Sequence, residues 1–514
     1  MAHDGVKVAR RIATRIVPVG VAALVAVFLF AGCHVDVEGS CCTTQAACDR
    51  PRGGGVIKPC EKAGEWCDNG GEYGDSRICI PTPTGRCTTA ADCGDGLVEC
   101  VDSYCVEFDC ESNANCSPMK PACNPTTRTC EPCTSDEVCE ALSGGTPLCD
   151  LDSGTCVECV DATDCDTASP VCAAGACRGC REDAECVSDV CDEAIGVCAD
   201  PASIIYVAKN GVATGSCTQA QPCSTIQQGV SQVSMSRQII KVGPGTYDEQ
   251  VTLDGVIATI LGDGVVVQPS GVPGFVVQDG AQVVLEGVRV TGAQGGSDPP
   301  GVQCRVAEAG EPKLSMRRVT LDNNSVGVSA TNCSLTIEGS TISANGAGGI
   351  VISAGTFSLV NNVIAGNGGA TSTFGGVSFA QIASGSHRFE FNTVTANAGI
   401  AGARTGVDCL QVFIPLTFTS NIVYENTVAG TGTQVGGENC SWTYSDIGPE
   451  TVDGTGNINS DPLFVDSANG DYHLQASSPA KNAADPKATV AVDIDGDARP
   501  NGLRADQGAD EVIE

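Results

Sequence analysis

The chain has 514 residues, a net charge of −34 from 62 Asp/Glu against 28 Lys/Arg, and only 4% aromatic residues. Its length exceeds one ordinary core, so several domains are expected, and its charge repels nucleic acid and offers it no basic footprint. The 63 glycines, with many Val, Thr, Ser and Asn, argue for repetitive β structure rather than an aromatic core.

Lys7, Arg10, Arg11 and Arg15 give the chain a positive start. Ile16 to Gly32 is apolar and uncharged, short for a membrane span and usual for the hydrophobic part of a signal peptide. The run ends Leu29-Phe30-Ala31-Gly32-Cys33, which resembles the lipobox of bacterial lipoproteins, with Phe30 where Leu is commonest. That resemblance implies a signal peptide over 1–32, diacylglycerol on the Cys33 thiol, and acylation of the new amine. His34 after Cys33, where Asp would favour inner-membrane retention, implies an outer-membrane lipoprotein on the cell-surface or periplasmic face. The membrane is then a partner through the lipid. An uncleaved anchor helix and an ordinary secretory signal are the other readings.

Of the 33 cysteines, 26 lie between Cys41 and Cys198. Residues 33–86 carry the lipidated N-terminus and a first module with six cysteines from Cys41 to Cys79. Over 87–200 a four-cysteine unit recurs, each opening with C-x5-C: Cys87/93, Cys110/116, Cys133/139, Cys159/165 and Cys180/186. A period in the twenties means an array of small modules. Each holds too few aliphatic residues for a core, so disulfides must supply the order, and four cysteines allow three connectivities. Paired C-x2-C could instead bind zinc, but the four histidines lie outside this region and export favours disulfides. Residues 41–200 hold 30 Asp/Glu against 10 Lys/Arg. The acids of the C-x5-C loops lack the alternating spacing of a calcium loop and read as a solvated face. The spacing resembles cysteine-rich repeats of secreted and surface proteins of large-genome Gram-negative bacteria, which implies a spacer or an adhesion module.

Composition changes near Pro201. Ile204 to Val207 reads as a strand. Ser224 with Gln227 reads as a capping box, and Ile226, Val230 and Val233 as the face of a helix that caps an open sheet end. Strands follow at Ile239–Val242, Gln250–Leu253, Val265–Val267, Phe275–Val277, Val283–Leu285 and Val288–Val290. An aliphatic residue, two others, then Asn recurs at Leu321/Asn324, Ile342/Asn345, Ile364/Asn367, Val394/Asn397 and Val423/Asn426. About 22 residues is one solenoid turn of three short strands, and the longer gaps imply inserted loops. Asn suits the bend because it tolerates the left-handed conformation, and stacked asparagines can bond between coils. Residues 203–450, opening on IYVAKNG and IIKVGPGTYDEQV, resemble right-handed parallel β-helix proteins of the pectin-lyase-like superfold. The fold class expected is mainly β, a right-handed parallel β-helix with an N-terminal capping helix, preceded by a disulfide-rich small-module array. Cys217 with Cys223 brackets a short loop, and Cys304 with Cys333 and Cys409 with Cys440 are candidate cross-coil staples.

Residues 451–514 resemble the closing segment of choice-of-anchor-type surface proteins, read in NINSDPLFV, GDYHLQ and DIDGDARP. In that family a variable anchor often follows; here the lipid at Cys33 is expected to serve instead. Asp493, Asp495 and Asp497 around Gly496 look like part of a calcium loop, though position 504 is Arg504 where an acid would close it. The competing reading is a turn whose carboxylates bond backbone amides and Arg499 or Arg504; no other cofactor is expected.

The fold hosts lyases, hydrolases, esterases and adhesins, so it names no reaction. The bases Arg305, Lys313, Arg317, Arg318, Arg388 and Arg404 and the acids Asp322, Glu390, Asp408 and Glu425 form no adjacent acid pair, and no catalytic residue is assigned. The expected function is a non-catalytic surface lipoprotein that displays a β-helix on an acidic stalk for glycan or protein binding. A carbohydrate-active enzyme of the β-helix class, a polysaccharide lyase or glycoside hydrolase, is the alternative.

Overall fold

The computed structural model describes residues 65–67, 79–81, 87, 89–93, 98–101, 104–142, 145–295, 298–428 and 433–513. Cys33, its signal region and Cys41, Cys42, Cys48 and Cys60 of the first module lie outside them. The chain divides into two units, residues up to 160 with 174–176, and residues 161–173 with 177 onward.

In the first unit each module is a short helical turn followed by a hairpin. The turns are Ala90–Cys93, Asn113–Asn115 and Asp136–Glu140. The hairpins pair Val98–Val101 with Tyr104–Glu107, Ala122–Cys123 with Cys130–Glu131, and Leu148–Asp150 with Thr155–Val157. Of the three possible connectivities the structure takes one throughout: first cysteine to third, second to fourth. The pairs are Cys87–Cys100 with Cys93–Cys105, Cys110–Cys123 with Cys116–Cys130, and Cys133–Cys149 with Cys139–Cys156. The turn is thereby stapled to both hairpin strands. The sulfurs themselves form the core: Cys133, Cys139, Cys149 and Cys156 are buried, with Val138 and Leu142 against them. The residue before the second cysteine is more than a solvated acid. Asp92 accepts the Thr89 N–H at 2.7 Å and Asn115 accepts the Ser112 N–H at 3.1 Å, closing the turn.

The second unit contains the last four-cysteine module, with Cys180–Cys191 and Cys186–Cys198 in the same pattern. This module packs on the first coil. The Tyr206 hydroxyl donates to Ser188 O at 2.9 Å, Lys241 pairs with Asp183, and Val190 is buried with Ile204 and Tyr206.

From Ile204 to Gly448 the chain winds into stacked coils of three parallel strands each. One aliphatic column shows the register: Val290, Leu321, Ile342, Ile364, Val394, Val423 and Ile447 are partners in successive coils. Each is at most 1% exposed. Side chains alternate in and out along a strand, so every third of a coil adds a few such residues, each stabilising by roughly 1.5–3 kcal/mol. The later coils depart from the composition argument. Their interior is aromatic, with Phe357 stacked on Phe379 at 4.3 Å between ring centres, and Phe418 5.0 Å from Phe389 and 5.1 Å from Trp442. Aromatic residues are few in this chain, but a cluster of them fills the later coils.

The capping helix is Ile226–Val230, shorter than its apolar spacing suggests, and its N-cap is Thr225 rather than Ser224. The Thr225 hydroxyl accepts from Gln228 N at 3.1 Å. Glu249 takes the first two amides, Ile226 N at 2.8 Å and Gln227 N at 2.9 Å, and that leaves Gln227 free to clasp the backbone of Thr252.

The recurring asparagines form a buried ladder. Asn324, Asn345, Asn367 and Asn397 each donate Nδ2 to the next Oδ1, at 3.1, 2.8, 2.9 and 2.8 Å, ending on Asn426 and then Gln434. Each also gives its backbone N–H to the same oxygen. The left-handed residue of the bend is not the asparagine but the one before it: Asn323, Ala344, Gly366, Ala396 and Glu425 have φ of 53°, 54°, 65°, 55° and 51°. A left-handed alanine costs about 1–2 kcal/mol, which the ladder offsets. A second ladder runs at the preceding bend, Ser340, Asn362, Asn392, Asn421 and Ser445.

Two disulfides lie inside the solenoid and join neighbouring coils. Cys304–Cys333 has a Cα separation of 6.0 Å and Cys409–Cys440 of 6.4 Å. Cys217–Cys223 closes the loop ahead of the helix.

Candidate binding cleft

The closing segment, residues 461–513, folds back over the outward residues of the short strands that carry the Leu321-to-Ile447 column. Gly508 N donates to Ser420 O at 2.9 Å, Ala509 N to Thr393 Oγ1 at 3.0 Å, and Asp485 N to Ser420 Oγ at 3.0 Å. Leu474 and Ala480 pack on Ile422. Thr393 and Thr395, outward on their strand, are therefore buried. Over the earlier coils the cover lifts. It leaves a cleft of about 550 Å³ between Thr320, Thr341, Ser343 and Val363 on the coils and Tyr472, His473, Asp495 and Asp510 on the closing segment.

The closing segment is organised by a buried cation. The Arg499 side chain is fully buried; Nη1 donates to Asp506 O at 2.9 Å and reaches Glu511 Oε2 at 3.3 Å, and Nη2 donates to Gly508 O at 2.9 Å. Its guanidinium lies 4.6 Å above the Phe391 ring centre. Burial drives Arg499 down from its usual value, against the charges of Glu511, Asp493, Asp506 and Asp510. Burial also pushes Asp506 and Glu511 up, against the backbone amides that bind them.

Two of the three acids read as a calcium fragment, Asp493 and Asp495, serve separate partners. Asp493 is buried; its Oδ1 accepts Asp495 N at 2.9 Å and Asp497 N at 2.8 Å, and its Oδ2 accepts Glu511 N at 3.0 Å. Asp495 bonds His473 Nε2 at 2.9 Å. Asp497 is exposed. Arg499 turns to Glu511, as above, and Arg504 Nε donates to Asn482 O at 2.9 Å, so neither is the partner the sequence suggested.

His473 sits between two carboxylates, with Nδ1 at 2.5 Å from Asp471 and Nε2 at 2.9 Å from Asp495. Burial pulls its basicity down, but the bonds to Asp471 and Asp495 and the charge of Asp510 outweigh it and leave the imidazole raised. With a carboxylate on each nitrogen, the ring is held as a bridge and is not a free base. Asp471-Tyr472-His473 stood in the closing-segment pattern, but nothing in the spacing put it opposite Thr341.

Six of the ten charged candidates on the coils lie in ion pairs. Asp322 holds Arg289 through two bonds at 2.8 and 2.5 Å. Arg318 pairs with Glu286, Arg388 with Glu390 at 2.8 Å, and Arg404 with Asp408 at 3.2 Å. Glu425 occupies a left-handed bend. Arg305 ends the strand Pro300–Arg305, and Lys313 and Arg317 bound the strand Lys313–Arg317, all three exposed on the coils.

A buried acid of the last coil has no such partner. Asp446, in the last coil, is 0% exposed; Oδ1 accepts Ser460 N at 3.1 Å and Oδ2 has no bond. Burial first, then the charge of Asp461, pushes its carboxyl up to about 7 against the Ser460 amide. An acid raised from 3.8 stabilises the fold below that value, and the contribution is lost as pH climbs to about 7. At roughly 1.4 kcal/mol per pKa unit the ceiling is about 4 kcal/mol. Asp446→Asn should therefore melt higher than the parent at pH 8 and level with it at pH 4. Equal differences at both pH values would show that the carboxyl does not ionise in place.

Comparison with known proteins gives the following. No curated protein matches the chain. A crystal structure of pectate lyase Pel9A aligns with a TM-score of 0.37 at 16% identity, over 60% of this chain and 96% of that one. A family model described as "Right handed beta helix region" matches residues 300–459, the coils that carry both ladders.

Proposed function

We propose that this is a non-catalytic surface lipoprotein, acylated at Cys33, which displays its β-helix on an acidic disulfide-stapled stalk in order to bind glycan. The observation that carries this reading is that four acids of the coils are tied to four bases. Arg289–Asp322, Arg318–Glu286, Arg388–Glu390 and Arg404–Asp408 bind acid to base in structural pairs, whereas hydrolysis needs two carboxyls poised across a bond and lyase chemistry a base near a cation-holding acid cluster. The cleft lined by Thr341, Ser343 and Tyr472 supplies a place for a ligand, and on its wall Asp495 is tied to His473 and Asp510 to Leu474 N instead of being poised as a pair across a bond. The purified full chain should retain glycans on an array, yet release neither reducing ends nor unsaturated uronates from neutral and acidic polysaccharides. Steady release of product would overturn the reading in favour of a β-helix carbohydrate-active enzyme. Cys33→Ala should appear in the soluble fraction without lipid; unchanged membrane fractionation would remove the anchor from the proposal.

A further inference from the structure

We propose that the cleft between the coils and the closing segment binds a short saccharide that offers hydroxyl or ammonium donors and carries no carboxylate, an inference that rests on the glycan-binding reading above. Two polar groups on its wall have unused bonding capacity. Asp510 is 8% exposed and lines the cleft. Its Oδ2 accepts Leu474 N at 2.7 Å, and no described residue donates to its Oδ1. Tyr472 also lines the cleft, its ring fixed edge-on to Phe464 at 5.4 Å between centres, and its hydroxyl bonds no described residue. That oxygen is open to the cleft, so a ligand hydroxyl or ammonium entering there finds an acceptor. Burial raises the Asp510 carboxyl, the Leu474 amide and His473 pull it down, and Asp493 and Asp495 raise it again.

The opposite wall has complementary character. Thr341 and Ser343 present hydroxyls from one strand, and Val363 with Ala365 presents methyl groups from the next coil. Hydroxyls beside methyls, facing a phenol and a carboxylate, match a sugar ring, which has polar edges and an apolar C–H face. Charge selects among sugars. Arg318 is turned to Glu286. His473 is shared between Asp471 and Asp495, with Asp510 beyond, so three carboxylates surround one imidazole. A uronate entering there meets like charge; a neutral or amino sugar does not. The cleft's volume of about 550 Å³ suits a short segment rather than a long chain laid along the coils.

The test uses the full chain, an array of neutral, amino and uronic oligosaccharides, and calorimetry with glucosamine oligomers and with oligogalacturonate. Two variants keep the fold: Asp510→Asn retains an acceptor for Leu474, and Tyr472→Phe removes only an unbonded hydroxyl. Neutral or amino oligosaccharides should bind and oligogalacturonate should not, and each variant should weaken binding by about tenfold without lowering the melting temperature. Glycan binding that neither variant alters, or preference for oligogalacturonate, would overturn the site while the glycan-binding reading stood. Retention of no glycan at all would overturn that reading, and the site with it.

Discussion

Asn367→Ala is expected to lower the melting temperature by roughly 10 °C. Asn367 is 0% exposed and bonded on every side. Its Oδ1 accepts both Asn345 N at 3.1 Å and Asn345 Nδ2 at 2.8 Å, and its Nδ2 donates to Ile342 O and Asn397 Oδ1, both at 2.9 Å. Alanine strands two donors and one acceptor in a dry interior. At about 1–3 kcal/mol for each unsatisfied group the loss is some 3–9 kcal/mol, and each kcal/mol shifts the midpoint by about 2–4 °C in a domain of this size. Neighbouring coils depend on one another, so the damage spreads along the stack. Thermal denaturation beside Asn459→Ala, an exposed asparagine bonded only to Thr451, measures it; equal shifts in the two variants would rule out a cooperative ladder.

Arg499→Met should release the closing segment. Methionine keeps most of the packing over Phe391 but leaves Glu511 and Asp506 buried without their cation, and breaking a buried pair from one side costs about 3–5 kcal/mol. Limited proteolysis at pH 8 should cut within 461–513 while the coils stay protected. The defect should shrink toward pH 5. Burial already raises Asp506, Asp510 and Glu511, and once protonated they need no counter-charge. A defect of the same size at both pH values would place the effect in packing over Phe391 instead.

The coils were legible because Leu321, Ile342, Ile364, Val394 and Val423 repeat with an asparagine at fixed offset, and the core accepts only one register of that pattern. The reason given for the asparagine was wrong in part. Ala344 and Ala396 carry the left-handed backbone, a conformation no propensity assigns to alanine, and the adjacent ladder holds them there. The second ladder went unread because serine stands at both its ends, at Ser340 and Ser445. Cysteine spacing marked the modules but not their pairing, since pairing depends on which hairpin strand faces the turn. The cleft was beyond the sequence for a plainer reason. Thr341 and His473 are brought to one place only by the path of the closing segment over Thr393 and Ser420.

The paired donations between successive asparagines make the donor face of every coil complementary to the acceptor face of the next. Nothing in that exchange counts turns. A tandem duplication of one period would insert as an extra storey, with the helix at one end and Gln434 at the other still meeting the partners they have now. The length of the stack can therefore be tuned by unequal recombination alone, in steps of one inter-strand spacing, about 4.8 Å, without any residue having to change.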